Sequence, residues 1–129
     1  MKVILVNGSP HEKGCTYTAL TEVQKTLEKN EIETEIFWVG NKPISGCLGC
    51  GNCIKTGKCF MEDKVNEFLE KAPTADGFIF GTPVHFAASS GMLSSFMDRV
   101  FYGRRKLFYS ILSLAICVGL LFSISVVKR

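Results

Sequence analysis

The chain has 129 residues, 47% of them hydrophobic and 21% charged, with a formal net charge of +3. That length and balance describe one ordinary globular domain with enough apolar residues for a core. The charge is too mild for a nucleic-acid surface, and the basic residues form no stripe interleaved with aromatics. Six cysteines are present, four of them within the thirteen residues from Cys47 to Cys59, and the chain runs from Met1 into an apolar strand pattern without a secretory leader. A cytoplasmic protein with metal or redox cysteines is therefore expected, rather than a disulfide framework.

Val3, Ile4, Leu5 and Val6 are consecutive apolar residues, the pattern of a strand buried on both faces of a parallel sheet. The turn NGSPHEKGCT follows. Gly8 and Gly14 free its backbone, and Ser9 and Thr16 bring hydroxyls to the positive end of a helix predicted to begin near Thr16. Such a loop suits a phosphate. It matches neither G-x-G-x-x-G nor G-x-x-x-x-G-K-[ST], however, and a plain βα connection has the same composition.

From Thr16 to Lys29, Ala19, Leu20, Val23 and Leu27 recur at helical spacing, with Asn30 as a candidate C-cap. Glu35 to Val39 reads as a second strand closed by Gly40. Asp63 can cap a helix that carries Val65, Phe68 and Leu69 inward, and Gly77 to Gly81 reads as a third buried strand. Helical spacing returns through Leu93, Phe96, Met97 and Val100. Strands alternating with helices imply right-handed crossovers and an α/β, doubly wound parallel sheet.

Two further stretches bear chemistry. Thr82 to Gly91 leaves the third strand, and in open α/β sheets ligands bind where such strand ends meet. Taken alone, His85 reads as a surface histidine, Phe86 as packing, and Asp98 with Arg99 as an exposed pair worth under about 1 kcal/mol. The other stretch is Cys47-x2-Cys50-x2-Cys53-x5-Cys59, interleaved with Gly46, Gly49, Gly51 and Gly57. Four thiolates so closely spaced suit a [4Fe–4S] cluster, because C-x-x-C turns present successive sulfurs on one side. Structural zinc is the alternative, although it more often uses two knuckles separated by a longer insert.

NGSPHEKGCT resembles the opening loop of the flavodoxin-like, NAD(P)H-dependent FMN reductases, and T-P-V-H-F-x-x-S-S-G-x-L-x-x-F-M-D-R resembles their second flavin loop. The cysteine run is similar, spacing for spacing, to that of the iron–sulfur flavoprotein branch. The resemblance implies a phosphate held at Ser9, His11, Cys15 and Thr16, with Cys15, where the family often has Asn, offering its backbone N–H. It implies an isoalloxazine edge along Pro83, Val84, His85 and Phe86, and a cluster on Cys47, Cys50, Cys53 and Cys59 that exchanges electrons with FMN. NAD(P)H or a protein would be the donor and a small molecule the acceptor, and no side chain stands out as an obligatory acid or base. The implied strand order is 2-1-3-4, with the fifth strand absent or replaced.

The likeness covers Met1 to about Arg105, so residues 1–106 are expected to form the flavin-binding domain and 107–129 a separate apolar segment. Leu107 to Val127 is a run of twenty-one residues without a charge, flanked by basic residues. A membrane-spanning helix, a fourth strand at Ser113 to Val118 whose open edge joins chains into a homo-oligomer, and an altered end unrelated to the fold all remain open. The alternative to a flavoenzyme is a metal-binding or electron-carrier module, or a fragment that binds no flavin.

Overall fold

A computed structural model describes residues 1–103, 112–118 and 122–128. The elements are β1 (Lys2–Asn7), α1 (Cys15–Glu28), β2 (Glu33–Trp38), α2 (Asn52–Thr56), α3 (Lys64–Lys71), a 3-10 turn (Ala72–Thr74), β3 (Gly77–His85), β4 (Ala88–Ser89), α4 (Gly91–Gly103), β5 (Leu112–Val118) and β6 (Phe122–Lys128). β1 lies between β2 and β3 and is parallel to both, with Leu5 opposite Ile36 on one side and Ile79 on the other. This is the expected α/β, flavodoxin-like order 2-1-3.

Alternation along β1 divides its side chains between two cores, as a strand covered on both faces requires. Val3 and Leu5 point with Ile79 toward Leu20, Val23 and Leu27 of α1. Ile4 and Val6 point with Phe78 and Phe80 toward Val65, Phe68 and Leu69 of α3 and Leu93, Phe96 and Val100 of α4. Aromatic rings fill this larger core: Phe68 packs edge-on against Phe37 and against Phe96, with centroids 5.2 Å apart in each pair. Asp63 caps α3 as predicted, its carboxylate accepting from the Val65 N–H at 3.0 Å. The helix after β1 ends differently: Lys29 is its C-cap, and Glu31 takes the left-handed position with φ +59°.

The place beside β3 is filled, but not by a parallel strand. β6 lies there antiparallel, with Ile79 opposite Val126, and β5 pairs antiparallel with β6 on its outer side. Ser113 to Val118, one of the readings left open for the place beside β3, is thus a strand, but one position farther out. Only three residues separate β5 from β6, too few for the crossover of a dozen or more that a parallel pair needs, so these two strands run antiparallel. The sheet order is β2-β1-β3-β6-β5, with β4 paired to β3 off this path. The described parts of the Leu107 to Val127 run are strands, and among the described residues no helix is long and apolar enough to cross a membrane. Leu107 to Ile111 and Gly119 to Leu121, which that reading also needs, lie outside the described residues.

Candidate functional site

The carboxyl ends of β1 and β3 are bonded to one another. The Gly8 N–H donates to the Gly81 carbonyl at 2.8 Å, and Ser90 Oγ donates to the Gly8 carbonyl at 3.1 Å. Ser90 is held in turn by Thr82, whose Oγ1 donates to Ser90 Oγ at 3.2 Å and accepts from the Ser90 N–H at 3.1 Å. The two strand-end loops therefore adjoin at the carboxyl edge of the sheet, where the strand order reverses. Gly8 is required by contact: a Cβ there would lie 2.8 Å from Leu93 Cδ1, so only a bare backbone lets α4 approach β1 this closely.

The first loop is shaped by side chains that sequence reasoning passed over. Asn7 is fully buried; its Oδ1 accepts from the Ser9 N–H at 3.1 Å, and its Nδ2 donates to the Glu12 carbonyl at 3.0 Å. Trp38 at the end of β2 donates from Nε1 to the Ser9 carbonyl at 2.9 Å. An Asn at a strand exit followed by Gly-Ser is a turn signal that could have found the first of these. Ser9 and Thr16 are buried, and Ser9 Oγ accepts from the His11 N–H at 3.1 Å; His11 and Cys15 are exposed. α1 begins behind Gly14 with no side-chain cap and no acid in its first turn. Its leading N–H groups are left for an external acceptor, and the dipole there favours an anion.

The second loop is a two-residue hairpin. Val84 pairs with Ser89 and His85 with Ala88, leaving Phe86 and Ala87 as the turn with φ of +48° and +61°. Positive φ at both turn positions matches the twist of a hairpin but normally calls for Asn or Gly, which is why this turn was not foreseen. Pro83 and Val84 are half-buried, His85 is exposed, and the Phe86 side chain stands entirely in solvent. The hairpin thus presents a short apolar edge beside the first loop.

The cysteine run forms its own cleft next to α4. Cys47, Cys50, Cys53 and Cys59 all line it, together with Leu48, Phe60, Met61 and Arg99. Gly49, Gly51 and Gly57 take positive φ, and the last two bracket the single turn of α2 that carries Cys53. Burial pushes the Cys53 thiol up, and the charges of Cys47, Cys59 and Cys50 push it further, so the four sulfurs sense one another. Among the described residues no group of three or more His, Cys, Asp or Glu side chains is arranged to hold a metal ion. Soft donors sharing one cleft still suit iron and sulfide, since such sites commonly assemble on the metal.

Arg99 overturns one expectation. It is no exposed partner of Asp98 but lies 2% exposed in the core, its guanidinium forked onto Asp63 at 2.5 and 3.0 Å. Position 99 follows Phe96 by three residues on a helix, which puts it on the buried face.

Residues 1–125 match the family model for NADPH-dependent FMN reductases. Two iron–sulfur flavoproteins of Methanocaldococcus jannaschii are 40% identical over 77% of this chain and 51% of theirs, and 38% identical over 77% and 50%. An iron–sulfur flavoprotein of Clostridioides difficile is 33% identical over 84% of this chain and 50% of its own. The chain spans about half the length of these relatives. The adjoining loops at the ends of β1 and β3, the cysteine cleft and these matches agree: the chain belongs to the NADPH-dependent FMN reductase family, in its iron–sulfur flavoprotein branch.

Proposed function

We propose that the chain is an FMN-dependent oxidoreductase that holds the flavin phosphate on the loop from Ser9 to Thr16 and the ring along Pro83 to Phe86. The observation that carries this reading is the pair of strand-end loops hydrogen-bonded to one another, with an uncapped helix start in one of them. Ser9 and Thr16 supply hydroxyls and Thr16 also its backbone N–H, whereas exposed Cys15 contributes its N–H. His11 closes the turn through its bond to Ser9. Val84, His85 and Phe86 supply an apolar edge and backbone donors. FMN bound there would supply the redox chemistry, the transfer of a hydride from NAD(P)H or of electrons from a protein donor to a small acceptor. The chain's own part is to bind, to orient and to exclude water from one face of the ring.

The cysteine cleft extends the reading to a [4Fe–4S] cluster on Cys47, Cys50, Cys53 and Cys59. The donor set fits, and the glycines with positive φ let the loop fold around a compact object. One experiment tests both parts: an ultraviolet–visible spectrum of anaerobically purified protein, with iron and sulfide assays. FMN with about four irons per chain supports the whole reading. FMN without iron removes the cluster and leaves the oxidoreductase. Iron without flavin favours the electron-carrier alternative, and neither group overturns the proposal.

A further inference from the structure

We propose that Arg99 is a positioning residue for the cysteine loop and for the cluster held there, clasping both ends of the loop and reserving one N–H for sulfur. This inference rests on the iron–sulfur reading above and deepens it. The guanidinium donates from Nη2 to the Met61 carbonyl at 3.1 Å and reaches the Ser45 carbonyl from Nη1 at 3.5 Å. Ser45 precedes Cys47 and Met61 follows Cys59, so one side chain on α4 gathers the two ends of the run. The fork onto Asp63 fixes that side chain, and Asp63 is itself fixed as the cap of α3.

Stability alone does not account for a charge in this place, because a buried ion pair is often replaced by apolar residues without loss. Arg99 lines the same cleft as the four cysteines, and its buried Nε finds no partner among the described residues. Buried donors without acceptors are rare, and a thiolate or sulfide in the cleft would supply the missing acceptor. Positive charge and N–H donors beside cluster sulfur stabilise the reduced form.

The test uses the anaerobically reconstituted chain, with circular dichroism as the folding control. Iron retention against a chelator and the cluster midpoint potential are measured for wild type, Arg99→Gln and the pair Arg99→Met with Asp63→Asn. The paired variant removes both charges of the pair while Asn keeps the cap, so any remaining change in potential isolates the lost donor. Expected are a ten- to hundredfold faster loss of iron and a more negative potential in both. Unchanged retention and potential in folded variants overturn the role of Arg99 while leaving the cluster in place. A wild type that takes up no iron overturns the cluster reading itself. For variants that do not fold, the Arg99 Nε–H resonance of wild type decides: a shift on reconstitution supports the proposal, and none overturns it.

Discussion

Glu31 and Glu35 illustrate how much single side chains carry here. Glu31 holds a left-handed backbone, φ +59°, where the chain leaves α1 and the Ile32 N–H bonds back to the Leu27 carbonyl. A side chain at such a φ costs about 1–2 kcal/mol, of which glycine returns part as lost chain entropy. Glu31→Gly is therefore expected to stabilise the protein by about 0.5–1 kcal/mol in urea unfolding. Glu35 sits between Lys71 and Lys2, bonded to the first and 3.1 Å from the second. The Lys71 bond and then that to Lys2 hold its carboxyl below the ordinary range against the opposing effect of burial. A depressed carboxylate stabilises the fold above its unfolded pKa, and that contribution disappears as pH falls through the folded value. Glu35→Gln should thus lose about 0.5–1 kcal/mol at pH 7, and the difference from wild type should shrink as pH falls below about 4.5.

At the level of elements, the glycines decide how closely helices approach the sheet. Gly8→Ala forces Leu93 of α4 aside and is expected to cost about 1–3 kcal/mol, with weaker FMN binding measured by fluorescence quenching. Gly81, whose added Cβ would come within 3.0 Å of Leu20, does the same for α1 on the opposite face. The central strands and their helices were legible because Val3 to Val6, Phe78 to Phe80 and the helical recurrences in α1, α3 and α4 follow single periodicities. Ser9 and Thr16 were legible as loop hydroxyls for the same local reason. What stayed hidden depends on partners distant in sequence. Arg99 reads as a surface charge until Asp63 is beside it, and Asn7 reads as a turn residue until Ser9 and Glu12 bond to it. The turn at Phe86 and Ala87 lacks the residues that announce one. Ser113 to Val118 and Phe122 to Val127 are equally apolar and equally strand-like, so composition alone could not say which adjoins β3.

For the molecule as a whole, the sheet ends in β2 on one side and β5 on the other. An apolar outer strand invites pairing with another chain. We propose that association, when it occurs, runs through β5, and sedimentation velocity at rising concentration should then show a dimer that Ile116→Lys abolishes. Binding to the folded state alone also predicts that free FMN at a hundred times its Kd adds about 2.7 kcal/mol to stability, read as a rise in Tm. The Ser90 bridge has a kinetic consequence of its own. Because Ser90 bonds both to Gly8 after β1 and to Thr82 on β3, neither crossover can open without releasing the other. Backbone amides of the first loop and of the start of α4 should therefore exchange with deuterium as one cooperative unit, with a shared opening energy. Ser90→Ala would weaken that coupling, leaving the Gly8–Gly81 bond as the remaining tie between the two strand ends, so the opening energies of the two loops should diverge.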